Sequence, residues 1–411
     1  MKMKGTLMNK TKMLCAHRTG GVRVNGAAKR AVLMLALAVS AASVAEARDF
    51  IVEGRDGAAI QRTIDAAAAA GGGRVVVPAG VYPSGSIRLR SKIDLHLEKG
   101  AVVRGADRPE GYDDVDDPRI GCQPESSVKV FLWCFDGEDV SITGDGVFDG
   151  QGVSFYDTDV PPDRFFRKPP HPRPRMVELF NCRNVRLDGN TYKDSPGWTM
   201  WIRKCENVVV KGVAIDGCQQ MINNDGIDFD SCRHVRMSNC RFKTGDDCVS
   251  LRAIVGADGA PSVCEDVVVK DCSFDSWCQG VRIGCPSDDT IRDVVFSNIV
   301  CKATRGILSF HPYHYLRKNS QGNIYTDRLL FTDWTIDSKW APIELKVEPG
   351  IRLRRLGGFT FRNIRIKKGS PNLAGTPESP VVDVVFDNVS SGDETTFNRP
   401  EKAWGSWETQ Y

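Results

Sequence analysis

Three aspartates in two short motifs carry the strongest chemical signal in the sequence. Asp246 and Asp247 are adjacent in the segment Lys243–Cys248, and Asp225 lies 21 residues upstream in Asn223–Asp228. Carboxyl groups gathered in one groove can divide the roles of proton donor and water-activating base, which is the chemistry of glycoside hydrolysis. Crowded carboxylates cannot all ionise cheaply, so one of them is expected to keep its proton near neutral pH.

The sequence around these acids repeats at about the interval that separates them. A cysteine, a polar pair and a valine recur, and each copy leads into a short segment rich in Val, Ile and Phe, which is typical of a strand. From Val185 onward, equivalent apolar positions are 23 to 35 residues apart. The clearest copies are Asn181-Cys182-Arg183-Asn184-Val185, Lys204-Cys205-Glu206-Asn207-Val208, Ser231-Cys232-Arg233-His234-Val235 and Val263-Cys264-Glu265-Asp266-Val267.

Repeats of this length without long amphipathic helices predict an all-β fold, a single-stranded right-handed parallel β-helix. Neighbouring coils are about 4.8 Å apart in such a stack, so Asp225 and the pair Asp246-Asp247 should lie side by side on one face. Because side chains alternate along a strand, a turn or bulge must present the pair together, and Gly245 is placed to permit it. The cysteines of the repeat are expected to form a buried ladder: Cys182, Cys205, Cys232 and Cys264.

The two ends of the repeat array predict how it is closed. Asp56 can cap a short helix over Ala58–Ala70 that packs on the first coil, where Arg74 begins a strand. Residues 391–411 are expected to form an irregular C-terminal tail. We therefore predict one β-helix domain over residues 48–411.

A proline-rich stretch, residues 151–175, interrupts the repeat. Its position between two coils predicts an excursion from the stack that forms one wall of the groove.

Residues 1–47 have the features of a secretory signal. Eight Lys or Arg precede or flank the apolar run Ala31–Val39, and Ala45-Glu46-Ala47 is a cleavage-type site. Cleavage would remove eight of the 55 basic residues and one of the 52 acidic residues. The mature chain would then have 47 basic and 51 acidic residues and a net charge near −4. We expect a periplasmic or secreted monomer with no nucleic-acid or membrane partner after cleavage. Its 13 remaining cysteines are an odd number, so at least one is not paired within the chain.

The motif Asn-x-Asp-Gly-x-Asp followed by Gly-Asp-Asp-Cys resembles the signature pair of glycoside hydrolase family 28, the polygalacturonase-like enzymes. The resemblance implies that Asp246 is the general acid and that Asp225 and Asp247 hold and activate the attacking water, with inversion. Asn223, from the same motif, is then a substrate-binding residue, and no cofactor or metal is needed. Further similar segments are Val75–Tyr82, Leu95–Ala101, Gly144–Gly152 and Ser195–Trp198.

The sequence also departs from the family pattern, as a divergent member would. Gln279 stands where the family has a histidine, and it could position the acid or a sugar hydroxyl. Leu308 and Phe310 stand where an Arg-x-Lys pair binds a galacturonate carboxylate. The expected substrate is therefore a pectic or related polysaccharide other than plain polygalacturonate.

Other groups could replace the missing cations. Arg252, Arg282 and Arg305 fall in three successive coils, where they either line the groove and bind a uronate or face solvent. His311, in the segment His311–Tyr315, is expected to bind sugar at the lip of a subsite. Its His-x-x-His spacing does not predict a metal site, because Pro312 disfavours the helix that usually presents such a pair.

Two other functions fit the same residues. A β-helix polysaccharide lyase would use the acids to hold a cation on a uronate, while Arg or Lys removes a proton. A catalytically silent β-helix would bind carbohydrate only. The acids and their 21-residue step favour hydrolysis over the lyase. Keeping all three acids argues against the silent protein, whereas losing the histidine and the Arg-x-Lys cations argues for it.

Overall fold

The computed structural model describes residues 48–120, 127–284, 287–312, 322–392 and 396–399. The predicted signal (1–47), the segment 313–315 beside His311, and most of the predicted tail lie outside the described residues. In the described part of the chain, no helix combines the length and the apolar character needed to cross a membrane.

The described chain is a parallel β-helix, which confirms the predicted fold class. Strands from successive coils pair in parallel within a ten-stranded sheet that carries the candidate site. Its strands are β4 (Ile87–Arg88), β7 (Val130–Phe135), β10 (Arg175–Phe180), β13 (Met200–Arg203), β16 (Ile227–Asp230), β19 (Val249–Arg252), β21 (Gln279–Ile283), β23 (Arg305–His311), β25 (Ile343–Val347) and β27 (Asn372–Ala374).

A nineteen-stranded sheet forms the remaining faces of the coils. Its pairs are parallel except that between the last two strands, which is antiparallel. Its strands are β1 (Asp49–Ile51), β2 (Gly73–Val77), β3 (Gly80–Pro83), β5 (Ile93–Leu97), β6 (Ala101–Arg104), β8 (Glu138–Gly144), β9 (Val147–Asp149), β11 (Arg183–Asp188), β12 (Thr191–Lys193), β14 (Glu206–Lys211), β15 (Ala214–Asp216), β17 (Arg233–Ser238), β18 (Arg241–Thr244), β20 (Val263–Ser276), β22 (Thr290–Ala303), β24 (Tyr325–Ser338), β26 (Leu356–Ile366), β28 (Val381–Ser391) and β29 (Thr396–Arg399).

In nearly every coil, the polar residue before the repeated apolar position adopts the left-handed backbone conformation, with a positive φ angle. Asn and Asp tolerate this conformation better than most residues, which explains why they recur there. Their side chains also bond from coil to coil: Asn207 donates to Asn184 at 3.1 Å and Asn184 to Asp139 at 2.9 Å. The φ angles lie between 52° and 58° at Asp139, Asn184, Asn207, His234, Asp266, Asp293, Arg328 and Asp383.

The repeated cysteines form the predicted interior ladder. Cys182, Cys205, Cys232 and Cys264 are at most 1% exposed. Their thiols bond to backbone carbonyls, as in the 3.1 Å contact of Cys232 Sγ with the carbonyl oxygen of Ile202. All eleven cysteines in the described residues are free thiols, so this ladder is held by packing and not by disulfides.

The N-terminal helix, α1 (Gly57–Ala69), is capped as the sequence predicts. The Asp56 carboxylate accepts the backbone N–H of Ala59 at 2.7 Å, and Ile60 and Ile64 are buried against the coils. The helix does not precede the stack, however. β1 lies before α1 and pairs with β2, so the helix is an insertion between the first two strands of that sheet.

Two 3₁₀ turns, Pro109–Gly111 and Gly152–Phe155, lie outside the sheets. The second begins the proline-rich excursion, residues 151–175.

Candidate active site

The three aspartates of the two motifs lie together where the chain begins strands of the ten-stranded sheet. Asp225 precedes β16, and Asp246 and Asp247 precede β19 on the next coil. The backbone N–H of Gly226 donates to the carbonyl oxygen of Asp247 at 2.7 Å, which holds the two coils in register. One carboxylate oxygen of each aspartate lies within 4.8 Å of the other two. The repeat therefore stacks the acids on one face, as the sequence predicts.

A sharp bend presents the pair. The carbonyl oxygen of Asp246 accepts hydrogen bonds from the hydroxyls of Thr244, at 2.5 Å, and Ser276, at 2.6 Å. At Gly245, a Cβ would lie 2.1 Å from the carbonyl oxygen of Met221. Glycine is required here for close approach between coils, and the bend supplies the departure from strand alternation that the adjacent acids need.

Burial and mutual repulsion keep a proton in this cluster. Burial raises the pKa of Asp246 to about 7, the neighbouring charge of Asp247 adds to the rise, and Arg282 opposes it. Burial and then the charge of Asp246 also raise the pKa of Asp225 well above its usual range. Asp225 and Asp247 are 3% and 1% exposed, whereas Asp246 is half-buried. Asp246 is therefore the protonated carboxyl that a ligand in the groove can reach.

The Cys278 thiol is a neighbour of Asp246 that the sequence did not single out. It forms a hydrogen bond with the Asp246 carboxyl, and this bond lowers the pKa of Asp246. Burial, followed by the charges of Asp246 and Asp247, raises the pKa of the thiol, so it stays protonated and donates. The backbone N–H of Cys278 donates to Ser276 Oγ at 2.8 Å, which fixes its position.

Each predicted arginine lies on the outer face of the ten-stranded sheet and contacts a carboxylate. Arg282 Nε lies 2.5 Å from Asp247 Oδ2. Arg305 Nε lies 2.7 Å from an oxygen of Glu344. The side chains of Arg282 and Arg305 are 12% and 26% exposed, so neither extends fully into solvent.

Arg252 is buried deeper, with its side chain 4% exposed. Its Nε lies 2.8 Å from Asp228, its Nη2 lies 3.7 Å from Asp225, and its guanidinium packs 4.7 Å from the ring centre of Trp198. Burial raises the pKa of Asp228 to about 6, and Arg252 opposes that rise. Arg252 thus holds Asp225 and Asp228 in place beneath the groove, and Asp228 is a supporting residue that sequence reasoning missed.

The proline-rich excursion contacts the bend before Asp225. Arg173 donates from Nη2 to Asn223 Oδ1 at 3.0 Å and from Nη1 to the carbonyl oxygen of Ile222 at 2.7 Å. The hydroxyl of Tyr156 accepts from Arg173 at 2.6 Å. Asn223 is half-buried and has a φ of 55°, so Arg173 and Tyr156 fix an unusual backbone next to the acid. No repeat or motif marks these two residues in the sequence.

Gln279 follows Cys278 at the start of β21 and is 4% exposed. Its carbonyl oxygen accepts the backbone N–H of Cys248 at 2.9 Å, and its side-chain oxygen lies 3.4 Å from Arg282 Nη2. Gln279 therefore lies beside the arginine that contacts Asp247.

The next two coils show what replaces the Arg-x-Lys pair. Leu308 is in register with Arg282 and is 2% exposed, and Glu344 is in register with Leu308. Phe310 packs against a cation one coil further on, since Lys346 Nζ lies 5.2 Å from its ring centre. The first two coils beyond the acids thus place Arg282 and then Leu308 at this position of the strand. Lys346, in register with Phe310, is a further cation that no sequence motif marks.

His311 does not lie on the groove surface as predicted. It is 5% exposed, and strand alternation points it inward with Ile307 and Ser309. Its Nε2 is 3.0 Å from Ser309 Oγ, and burial lowers its pKa to about 4, with Arg282 adding to the effect. The prediction that His311 binds sugar at a subsite lip conflicts with this position.

Three clustered carboxylates are also the oxygen ligands that Ca²⁺ prefers. Here, however, Arg282 contacts Asp247 and Arg252 faces Asp225, so a divalent cation would lie beside two guanidinium groups. This donor set does not fit a resident metal.

Comparisons with known proteins agree with this geometry. The model of glycosyl hydrolases family 28 matches residues 125–257, which include all three aspartates. A probable polygalacturonase of Vitis vinifera is 30% identical over 44% of this chain and 37% of that protein. A polygalacturonase of Medicago sativa is 25% identical over 65% of this chain and 68% of that protein. The chain thus spans little more than a third of the first relative and about two thirds of the second.

The fold agrees as well. The crystal structure of an exopolygalacturonase from Thermotoga maritima superimposes with a TM-score of 0.65 at 22% identity, covering 85% of this chain and 93% of that one. The matched motifs, the order of the strands and the clustered aspartates lead to one conclusion. Residues 125–257 of this chain, which carry the acid cluster, are similar to glycoside hydrolase family 28.

Proposed function

We propose that this chain is an exported, monomeric glycoside hydrolase that cleaves O-glycosidic bonds of a pectic or related polysaccharide by single displacement with inversion. The observation that carries the proposal is the stacking of Asp225, Asp246 and Asp247 with oxygens within 4.8 Å of one another. No metal or organic cofactor takes part.

Asp246 is the general acid. Its pKa of about 7 leaves much of it protonated at neutral pH, and it is the most exposed of the three carboxyls. It gives its proton to the glycosidic oxygen as the bond to the anomeric carbon breaks, so the leaving sugar departs as a neutral alcohol. The Cys278 thiol and the hydrogen bonds to the Asp246 backbone keep this carboxyl in place.

Asp225 and Asp247 hold the attacking water. Two hydrogen bonds of about 2.7 Å that meet at one water oxygen span roughly 4.5 Å, close to the 4.8 Å limit between these carboxylate oxygens. The water adds to the anomeric carbon as the leaving group departs, and its proton passes to one of these carboxylates.

Inversion or retention depends on whether the two carboxylates other than Asp246 hold a water or one of them bonds to the sugar. An acid–nucleophile pair about 5 Å apart is typical of retaining enzymes, and oxygens of these carboxyls lie within 4.8 Å of one another, so their closeness alone does not indicate inversion. Asp225 and Asp247 are almost fully buried, however, and Asp247 contacts Arg282, so both are better placed to hold water than to bond a sugar. Inversion predicts that the first product seen by NMR has the anomeric configuration opposite to that of the substrate bond.

The charge pattern of the groove argues against plain polygalacturonate. A polymer with a carboxylate on every sugar is bound best by cations at several subsites, but Arg282 contacts Asp247, Arg305 contacts Glu344 and Lys346 packs against the ring of Phe310. Leu308, in register with Arg282, is 2% exposed and supplies no cation. The substrate therefore carries fewer charges than homogalacturonan at the sugars beyond the acids.

To test the proposal, the mature chain is incubated with homogalacturonan, rhamnogalacturonan and small aryl glycosides, and the release of reducing ends is measured. We expect new reducing ends from a substrate other than homogalacturonan, and no activity from Asp246→Asn at unchanged binding. A product with a new double bond and loss of activity in chelator would support the lyase instead. Binding without cleavage of any of these glycans would support the silent carbohydrate-binding protein.

A further inference from the structure

Trp340 is the most exposed large hydrophobic side chain in the described part of the chain, at 65%. It lies in the bend just before β25, on the side of the coil that carries the acids. Its backbone N–H donates to the carbonyl oxygen of Thr304 at 3.0 Å, so the backbone beneath the ring is fixed to the preceding coil. The Trp340 ring is therefore a flat apolar surface that faces solvent from a backbone bonded to the neighbouring coil.

A chain of polar side chains that contact one another begins at this ring. The Arg305 guanidinium packs 4.7 Å from the ring centre of Trp340. Arg305 Nε donates to Glu344 Oε2 at 2.7 Å, and Glu344 Oε1 accepts from Asn372 Nδ2 at 3.0 Å. Glu344 is half-buried, so it keeps a solvent-facing part. Trp340, Arg305 and Glu344 thus form one preorganised cluster, which we name the outer cluster.

The outer cluster lies on the same face as the acids, further along the stack. Gln279 lies one coil beyond Asp247, and Arg305 is in register with Gln279 on the coil after that. The bend of Trp340 belongs to the third coil, since the backbone N–H of Gly306 donates to the carbonyl oxygen of the residue after Trp340. Three coils at about 4.8 Å each place Trp340 roughly 14 Å from Asp247 along the axis. A sugar bound there is separated from the cleaved bond by about two others.

We propose that the outer cluster is a distal subsite for a neutral sugar of the substrate. The Trp340 ring offers a flat apolar surface for the C–H face of a pyranose. The exposed part of the Glu344 carboxylate accepts hydrogen bonds from sugar hydroxyls, and its pairing with Arg305 leaves the cluster without a net positive charge to attract a uronate. Because Arg305 contacts both Trp340 and Glu344, it supports the platform and does not act as a uronate clamp. This inference rests on the proposed function and adds the chemical class of one sugar.

Two series of oligosaccharides test the proposal. One consists of rhamnogalacturonan fragments, in which a neutral sugar alternates with a uronate, and the other of homogalacturonan fragments. Each series contains short fragments and long fragments. Binding is measured by calorimetry with the inactive Asp246→Asn protein and with the double variant Asp246→Asn/Trp340→Ala. We expect the double variant to bind long rhamnogalacturonan fragments at least about fivefold more weakly and the shortest fragments equally well. Trp340→Phe keeps a flat ring and should preserve most of the affinity.

Glu344→Gln tests the selectivity and Val300→Ala tests for a general surface effect. Glu344→Gln should narrow the preference for rhamnogalacturonan over homogalacturonan, because it removes the carboxylate that pairs with Arg305 and leaves a cation that can attract a uronate. Val300 is 59% exposed on the other sheet, and its substitution should change nothing. Equal affinities of the Trp340→Ala and parent proteins for the long fragments of both series overturn the subsite. Binding that depends on Trp340 without cleavage by the wild-type chain overturns the proposed function and leaves the subsite standing.

Discussion

Asp246→Asn should make the protein more stable at alkaline pH while abolishing its activity. The pKa of Asp246 is raised from an ordinary value of 3.8 to about 7, first by burial and then by the charge of Asp247. A carboxyl whose pKa is higher in the folded state stabilises the fold fully below its unfolded pKa, and this stabilisation is lost as pH rises through about 7. The ionised form therefore carries a free-energy penalty at pH 8 that asparagine does not.

The size of the penalty follows from the shift. A rise of about three pKa units corresponds to at most about 4 kcal/mol between pH 4 and pH 8. Because Asp246 is partly exposed to solvent and shares its proton with its neighbours, we expect on the order of 1–2 kcal/mol for the single substitution. In a chain of this size, that raises the melting temperature by a few degrees at most.

The assay is thermal and urea unfolding of the wild-type and Asp246→Asn proteins at several pH values from 4 to 8. The free energy of unfolding should favour the variant at pH 8, and the difference should fall toward zero at pH 4. Asp216→Asn is the matched control, since Asp216 is an exposed aspartate on the other sheet, with its side chain 56% exposed. A variant that is no more stable than the wild type at pH 8, or a difference that does not change with pH, would refute the reasoning from buried charge.

Two further outcomes follow from the same bend. The rate constant kcat should fall as pH rises above about 7, because Asp246 must be protonated to act as the acid. Cys278→Ala should shift this fall in kcat to higher pH, because it removes a hydrogen bond that lowers the pKa of Asp246. Cys278→Ser should return the pH dependence to that of the wild type. An unchanged pH–rate profile in Cys278→Ala would exclude the thiol from this role. Gly245→Ala should destabilise the fold by about 1–3 kcal/mol or more in urea unfolding, because its Cβ would lie 2.1 Å from the carbonyl oxygen of Met221. A Gly245→Ala protein as stable as the wild type would contradict that account of the bend.

The repeat made the fold and the acid cluster predictable. The polar residue before an apolar one, most often Asn or Asp, marks a left-handed turn in nearly every coil, and counting from turn to turn places Asp225 next to Asp246 and Asp247. Buried cysteines at equivalent positions, such as Cys205 and Cys232, are part of the same periodic pattern. These features depend on local conformation and on register, and both are written along the chain.

The surroundings of the acids could not be predicted in the same way. Arg173 comes from an excursion whose path depends on tertiary packing, and Trp340 is an unremarkable residue of a bend until its exposure is known. For His311, the sequence suggested a functional role that its position in the structure does not fit. Its residue type suggested sugar binding, but the alternation of β23 turns its ring into the interior.

Product analysis in water labelled with heavy oxygen tests the central claim most directly. The mature wild-type chain and Asp246→Asn are incubated with rhamnogalacturonan and homogalacturonan, and the products are examined by mass spectrometry. Acid–base hydrolysis at Asp246 predicts saturated products from the wild type that carry one labelled oxygen at the new reducing end, and no such products from Asp246→Asn. Unsaturated products without label, or labelled products that form equally fast with Asp246→Asn, would contradict the account.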